Sequence, residues 1–232
     1  MQSGARSVTE FLGFVPHKWT LGSNSGYSRW MIEAPKTARG RATRERIVGT
    51  AADLIGERGV AETSLDDVIE RAGVSKSQLY HYFDDREALL RAVVAYNTDG
   101  VLAAQEPHLG SLDSWSSIRA WFDSLVQLQI KRNAHGGCPV GSLVGQLAEC
   151  DEAARLALEG SFDQWEERIR NGLRTMKSRG KLDHWADPDE LATATLAAIQ
   201  GGLLLTQTRR DPGQLATALE AAYAHLREHA AS

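Results

Sequence analysis

Residues Gly73–Phe83, GVSKSQLYHYF, combine a turn with a segment of helical pattern that is barely two turns long. A helix this short is unstable in water, because nucleation is costly and few hydrogen bonds follow it. With Ser75 as its N-cap, an offset of four places Leu79 and Phe83 on one face. The pattern therefore predicts a short helix that its neighbours hold in place and that presents a polar surface to an outside partner.

The flanking sequence predicts further helices on both sides of this segment. Upstream, apolar residues three and four apart form one stripe, and Gly59 ends that helix. Thr63 or Ser64 can cap a second, short helix, and Asp84 or Asp85 can cap a fourth, longer one. A short helix, a tight turn and a second short helix are typical of a helix-turn-helix, whose second helix enters the major groove of DNA.

Basic residues are concentrated before the first helix. The chain of 232 residues has a formal net charge of -4, which argues against a uniformly basic nucleic-acid coat. Between Lys36 and Arg46, however, the sequence contains five basic residues and a single acidic one, Glu45. We interpret this segment as a basic arm that leads into a helix beginning near Ala42.

The polar residues of the short helix suit contacts with DNA. Lys76 can reach a phosphate or a guanine, and Gln78 can pair with adenine or another base edge. Ser77 is small enough to allow close approach, and the tyrosine hydroxyls can reach phosphates. This segment is therefore the candidate for base recognition.

The stretch Thr43–Val94 is similar to the N-terminal domain of the TetR family of repressors. It reads TRERIVGTAADLIGERGVAETSLDDVIERAGVSKSQLYHYFDDREALLRAVV, with a helix ending in Gly, a capped short helix, AGVS and an L-Y-x-Y/H-F motif in the family's order. The resemblance implies contacts to DNA from Lys76, Ser77, Gln78, Tyr80, His81 and Tyr82, with Ser64 and Arg86 on phosphates and Arg44 in the basic segment. The acidic pair Asp84–Asp85 departs from the family pattern, so Arg86 would carry the phosphate contact at that corner.

The remainder of the chain predicts five or six more helices. Among them are a helix ending near Lys131, a long one from Ala154 to Lys177, and two more over roughly Pro188–Thr208 and Pro212–His229. Here the motifs GCPVGSL, F-x-x-W-E and AAIQGGLLL resemble the C-terminal domain of the family branch that contains multidrug-pump repressors and some flavonoid-responsive regulators. The resemblance implies a homodimer formed through the last two helices and a mostly apolar cavity for a small-molecule effector. Candidate cavity residues are Trp115, Phe122, Leu125, Gln129, Cys138, Leu143, Phe162, Trp165, Ile169 and Gln200.

Composition favours a soluble globular protein. With 42% hydrophobic and 24% charged residues, the chain can bury a sizeable core. Cys138 and Cys150 are too few for a disulfide framework, which favours a reduced, cytoplasmic setting. The sequence contains no apolar run long enough for a membrane span or a secretory signal. Residues 1–35 lack periodicity, so we expect a disordered extension, with Met31 as a hypothetical natural start.

These observations predict an all-α fold with two parts. We expect a three-helix DNA-binding domain with a helix-turn-helix over residues 36–86, followed by a ligand-binding and dimerisation domain over residues 87–232. The expected function is a ligand-responsive transcriptional repressor that a small hydrophobic effector releases from a palindromic double-stranded operator. We expect no cofactor, no metal and no catalytic residue.

Two other classes of function compete with this interpretation. His135 lies three residues before Cys138, and an imidazole-activated thiolate would be a nucleophile. The sequence indicates neither an orienting third group nor an oxyanion hole, so a surface histidine beside a structural cysteine is the simpler interpretation. A helical adaptor would leave the basic segment and the polar surface at Lys76–Gln78 unexplained.

Overall fold

The computed structural model describes residues 35–231. The disorder expected for residues 1–35 and the hypothetical start at Met31 therefore lie, except for Pro35, outside the described residues. Within that range the chain is helical and forms no named strand, which confirms the all-α fold. The helices are α1 (Ala38–Arg58), α2 (Leu65–Ala72), α3 (Lys76–Tyr82), α4 (Arg86–Ala103), α5 (Trp115–Lys131), α6 (Pro139–Leu147), α7 (Glu152–Ser178), α8 (Pro188–Arg209) and α9 (Gly213–Glu228), with a 3-10 turn at Leu109–Ser111.

The chain divides into two compact units, and the boundary falls inside α4, between Tyr96 and Asn97. The first unit thus extends ten residues beyond the expected boundary after Arg86. The reason is packing, because Leu89, Val93 and other apolar residues of the first turns of α4 are buried. These turns belong to the core of the first unit.

The core of the first unit forms beneath α3. Leu79 and Phe83 are 0% and 1% exposed, which confirms the face predicted from their spacing. The apolar stripe of α1 is buried as well, including Ile47 and Leu54. α2 packs against both α1 and α3. The short helix α3 is therefore anchored by tertiary contacts and not by its own hydrogen bonds alone.

Side-chain caps set the ends of the short helices. Ser64 begins α2 in a capping box with Asp67, and Ser75 begins α3 in a capping box with Gln78. The hydrogen bond from the Ser64 hydroxyl, supported by the Ser64 amide and by Arg58, lowers the pKa of Asp67 to about 2. Between the two helices, Gly73 adopts a left-handed conformation with φ of 61°.

α1 begins four residues earlier than expected. Its N-cap is Thr37, whose hydroxyl accepts a hydrogen bond from the Gly40 amide at 3.0 Å. Most of the basic segment is therefore helix, and the interpretation of Lys36–Arg46 as an arm leading into a helix near Ala42 is wrong. The Arg41 guanidinium also donates to the carbonyls of Pro35 and Lys36, which ties the chain ahead of the helix to its first turn.

The second unit is built around α7, α8 and α9. α7 buries one side along its whole length, including Leu158, Ile169 and Met176. α8 packs against both α7 and α9. A β-carbon placed on Gly202 of α8 would stand 2.8 Å from Leu215 Cδ1, so the backbone of α8 closely approaches α9 at this point. The predicted bounds of these helices agree with the structure to within two residues at each end.

Across residues 35–231, no helix combines the length and the apolar character that a transmembrane span needs.

The close approach of α7 to the segment before α5 generates a stability prediction. A β-carbon on Gly172 would stand 2.5 Å from both the Cβ and the carbonyl oxygen of Leu112, and backbone cannot move aside as a flexible side chain does. We expect Gly172→Ala to lower the free energy of unfolding by about 1–3 kcal/mol.

Gly145 supplies the matched control for this substitution. It lies in α6 and has open space where a β-carbon would be added. Gly145→Ala is expected to raise the free energy of unfolding by up to about 1 kcal/mol, since alanine favours helix. Urea unfolding of both variants measures the difference, and equal stabilities would contradict the close approach of α7 to Leu112.

Candidate nucleic-acid interface and effector unit

The exposed face of α3 carries the residues expected to contact DNA. Lys76, Ser77, Gln78 and His81 are exposed, and Tyr80 is 44% exposed, while Leu79 points into the core. The separation follows from helical geometry, because Leu79 and Phe83 occupy the one face that the core covers. The structure thus brings these five predicted residues together on a single polar surface.

Gln78 also has a structural role that the DNA interpretation did not include. Its side-chain Oε1 accepts a hydrogen bond from the Ser75 backbone amide at 2.9 Å. The backbone amide of Gln78 donates to Ser75 Oγ at 3.2 Å. Bidentate recognition of adenine needs both the oxygen and the nitrogen of the glutamine amide. In this conformation the oxygen is committed to the capping box. The S-x-x-Q spacing at residues 75–78 was the sequence signal for this box.

Tyr82 and His81 form the end of α3. Their rings meet edge to face, with centroids 4.9 Å apart. Tyr82 is half-buried, and its hydroxyl lies near the first turn of α1, where a β-carbon on Gly40 would be 3.6 Å away. Tyr82 therefore connects α3 to the helix that carries the basic segment.

Arg44 lies at the other side of this junction. Its guanidinium carbon is 5.2 Å from the centroid of the Phe83 ring, which is a cation–π distance. Partial burial lowers the pKa of Arg44, although an arginine at this position stays charged. A positive charge is thus held beside the base of α3.

Arg86 and Ser64, which are expected to contact phosphates, form hydrogen bonds within the protein. Arg86 Nη2 donates to the Val60 carbonyl at 2.6 Å and to the Thr63 carbonyl at 3.3 Å. Ser64 Oγ donates to Asp67 and accepts from the Asp67 amide. These bonds give each residue a role in holding the α1–α2 connection, so a phosphate contact from either stays a prediction.

The acidic pair before α4 has a local explanation. Asp85 Oδ1 accepts a hydrogen bond from the Ala88 amide at 2.6 Å, so this carboxylate satisfies a free amide in the first turn of α4. Of the two candidates, Asp85 therefore acts as the cap. Capping of α4 therefore accounts for the aspartate at position 85.

The candidate effector residues occupy the interior of the second unit more than its surface. Seven of the ten are buried, which are Phe122, Leu125, Gln129, Cys138, Leu143, Trp165 and Ile169, while Phe162 and Gln200 are half-buried. Trp115 differs from the others. Its ring meets Tyr223 edge to face at 6.2 Å, and the Arg227 guanidinium lies 4.6 Å from its centroid. The surroundings of Trp115 on this side are therefore supplied by α9.

A groove of about 320 Å³ lies between α5 and α9, away from most of the predicted cavity residues. Phe122 is the one residue of the predicted set that lines it. The rim carries an ion pair between Arg119 and Glu220, and the Arg119 guanidinium covers the Tyr223 ring at 3.9 Å. Sequence reasoning did not identify this groove, because helical periodicity does not show where two helix surfaces diverge.

The two groups of the alternative nucleophilic site have separate partners. His135 is exposed, and its Nδ1 lies 2.7 Å from the Asn133 carbonyl oxygen. Cys138 caps α6, and its Sγ accepts a hydrogen bond from the Gly141 amide at 3.3 Å. Burial raises the pKa of the Cys138 thiol, which opposes formation of a thiolate. The geometry gives the thiol a structural role at the start of α6.

Known proteins resemble this chain in both units. Residues 47–93 match the profile of bacterial regulatory proteins of the TetR family, and residues 115–222 match that of the tetracyclin repressor-like C-terminal domain. The chain is 30% identical over 179 residues to an HTH-type transcriptional regulator in the lacX 3′ region of Lactococcus lactis subsp. lactis, covering 74% of this chain and 86% of that protein. It is 25% identical over 173 residues to the transcriptional regulator AcuR of Cereibacter sphaeroides, covering 74% and 79%.

A solved structure agrees with the fold. The crystal structure of a TetR transcriptional regulator from Chloroflexus aurantiacus has a TM-score of 0.72 to this chain at 24% identity, covering 84% of this chain and 99% of that one. The two profile matches together cover the helix-turn-helix and most of the second unit. With these matches and the exposed polar face of α3, the chain belongs to the TetR family of helix-turn-helix transcriptional regulators.

Proposed function

We propose that this regulator is a repressor that binds a palindromic operator as a homodimer and leaves it when a small effector binds the second unit. The observation that carries the proposal is the polar face of α3, held outward by the buried Leu79 and Phe83. The competing functions, an enzyme at His135 and Cys138 or a helical adaptor, give no account of this face.

The dimensions and charges of the first unit support contact with the major groove. α3 has seven residues, which at 1.5 Å each span about 10 Å, within a groove about 12 Å wide. Lys76 lies at its first turn, and Arg44 lies beside its last residues. Both positive charges flank the exposed polar residues, so phosphates on either side of a groove would meet a cation.

The last two helices supply a surface for a second copy of the chain. Leu204 and Leu205 of α8 are 64% and 43% exposed, although both are large and apolar. Apolar residues next to each other on one helix surface are typical of a protein interface. In a two-fold dimer the two recognition helices would enter successive major grooves about 34–36 Å apart, which matches a palindromic site.

The proposed response to an effector follows from linkage. An effector that binds more tightly to the DNA-free form lowers the affinity for the operator, and the operator lowers the affinity for the effector by the same factor. α4 runs without interruption from the first unit into the second, so one helix belongs to both. This continuity supports coupling between the two binding events.

The primary test is fluorescence anisotropy with the DNA upstream of the gene and of its neighbour, at two salt concentrations, beside scrambled DNA. We expect tighter, salt-sensitive binding to the upstream DNA. Equal and weak binding to both DNAs would contradict operator recognition.

Lys76→Ala tests the charge at the start of α3. Loss of one phosphate contact should weaken binding to all sequences and lower the slope of log affinity against log salt by about 1. Lys131→Ala, at the end of α5, removes the same charge outside the candidate interface and should leave both quantities unchanged. An unchanged slope in Lys76→Ala would exclude a phosphate contact from this lysine.

Gln78→Glu separates DNA recognition from helix capping. A glutamate keeps an acceptor for the Ser75 amide, as in the S-x-x-E capping box, but loses the amide donor and adds a negative charge. We expect a melting temperature close to that of the parent and operator affinity weakened about tenfold or more. Operator titrations with each base pair changed in turn identify the position read. Retention of full affinity and preference would show that Gln78 serves the cap alone.

Leu204→Glu tests the proposed dimer surface. A charge buried without a partner at an interface is costly, so we expect the variant to be monomeric and to bind operator DNA weakly. Leu156→Glu on α7 is the control, because Leu156 is also exposed, at 46%, but lies on another helix. Light scattering after size exclusion gives the masses. A Leu204→Glu variant with the parent mass would place the interface elsewhere.

A further inference from the structure

The first turn of α1 is basic where the helix dipole favours acidic residues. A helix N-terminus carries a partial positive charge, which acidic side chains stabilise and basic ones destabilise. The first turns of α2, α4, α7 and α8 each contain an acidic residue. The first turn of α1 contains none and has Arg39 there, with Lys36 just before the N-cap Thr37. Because this arrangement lowers the stability of α1, it needs another explanation.

Three of the five basic residues between positions 36 and 46 have structural roles. Arg41 ties the chain ahead of α1 to its first turn, and the Arg44 guanidinium lies over the ring that follows α3. Arg46 Nε donates to the carbonyl of the last residue of α2 at 3.0 Å. The remaining two residues, Lys36 and Arg39, are exposed to solvent. Their charges are therefore accessible to an external partner.

The N-terminal half of α1 lies alongside α3. The Arg46 side chain bonds to the chain just before the α2–α3 turn. A β-carbon on Gly40 would be 3.6 Å from the hydroxyl of Tyr82, the last residue of α3. α1 thus passes the start of α3 at position 46 and approaches the end of α3 at position 40. Arg39 and the residues before it lie at this end, whereas Lys76 lies at the other.

The separation of these charges is close to the width of a DNA groove. Between them lies α3, whose seven residues span about 10 Å, and the major groove is about 12 Å wide. With α3 in the groove, Lys76 would meet the phosphates of one strand, and Lys36 and Arg39 would meet those of the other. The basic residues of α1 therefore continue the polar face of α3 as one surface.

We propose that Lys36 and Arg39 contact the phosphate backbone of the operator DNA at the end of α3 opposite Lys76. Charge and position identify the partner, because a polyanion neutralises cations that the helix dipole disfavours, and because these residues adjoin the face of α3. The inference rests on the proposed function, since it extends the same DNA-binding surface. Contacts to phosphates carry no sequence information, so both residues contribute affinity on every DNA sequence.

Arg39→Glu separates this role from a structural one. Glutamate suits the dipole of α1 and is opposite in charge to Lys36, three positions earlier. In the full-length protein without DNA, we expect a melting temperature equal to that of the parent or up to about 2 °C higher. Affinity for the upstream DNA should fall about tenfold or more at low salt. A melting temperature below that of the parent would show that Arg39 supports the fold, and would overturn the proposal.

Lys131→Glu is the matched control for this charge reversal. It makes the same change of net charge at an exposed position on α5 of the second unit. Its affinity for the upstream DNA should stay within about twofold of the parent value, because salt screens a charge that does not contact DNA. An equal loss of affinity in both variants would show an effect of net charge and not of contact, which would also overturn the proposal.

Neutral substitutions count the phosphate contacts. In the double variant Lys36→Gln and Arg39→Gln, the slope of log affinity against log salt should fall by about 2, on upstream and scrambled DNA alike. Arg39→Lys should keep the parent slope, because lysine binds a phosphate as a point charge. An unchanged slope in the double variant would exclude the contacts. A loss confined to the upstream DNA would indicate base reading and would equally contradict the proposal.

The outcomes separate this inference from the proposed function. Operator recognition fails if the parent binds upstream and scrambled DNA equally, but the salt slope on either DNA still reports the contacts of Lys36 and Arg39. The inference alone fails if the parent prefers the upstream DNA and the double variant keeps the parent slope. Absence of any DNA binding by the parent would overturn both.

Discussion

The burial of Leu79 and Phe83 is the contact on which the first unit depends. α3 has only seven residues, too few to remain helical in water by its own hydrogen bonds. Two fully buried side chains on one face hold it in the core of the first unit, where it packs against α2 and where Arg44 of α1 lies over the Phe83 ring, so its conformation is determined by the core. The opposite face must then be solvent-exposed, and it is polar. The exposure of the candidate DNA-binding residues is thus a consequence of how a very short helix is held.

Several residues that would serve DNA binding are also used to build the fold. Ser75 and Gln78 close the capping box of α3, Ser64 closes that of α2, and Arg86 bonds two carbonyls of the α1–α2 connection. Such sharing holds these side chains in one orientation in the absence of DNA, and a preorganised surface loses less entropy when it binds a partner. It also means that simple truncation at these positions alters stability and binding together.

The helices could be predicted from the sequence where the signals are local. Caps, glycine ends and apolar stripes lie within a few residues of each other, and they located α2, α3 and the long helices of the second unit. The sequence did not show interactions between residues that are far apart in the chain. The two hydrogen bonds of Arg86 reach residues 26 and 23 positions away in the chain. The unit boundary at Tyr96 depends on the packing of the first turns of α4 into the core of the first unit. The cap at Thr37 is itself a local signal, since a threonine stands immediately before the helix.

The candidate effector residues could be predicted only as a list of interior residues. Periodicity assigns Leu125 or Ile169 to the inside of a helix, but core and cavity share that pattern. The hydrogen bonds of a buried polar side chain depend on neighbours from other helices, which the sequence does not show. Gln105 and Gln129 are both buried glutamines, and only the tertiary structure shows that one is fully bonded while the other leaves an oxygen unused.

The turn between α2 and α3 is restricted by chirality and not by space. Gly73 has φ of 61°, yet a β-carbon added there would meet nothing within 4 Å. An L-residue is therefore disfavoured by its own backbone, at a cost of about 1–2 kcal/mol, and not by any neighbour. A residue of the opposite hand has no such cost, so D-alanine introduced by chemical ligation would fit the turn. It would also reduce the conformational freedom of the unfolded chain, so a helix-turn-helix with one mirror-image residue would be more stable to unfolding than the natural one.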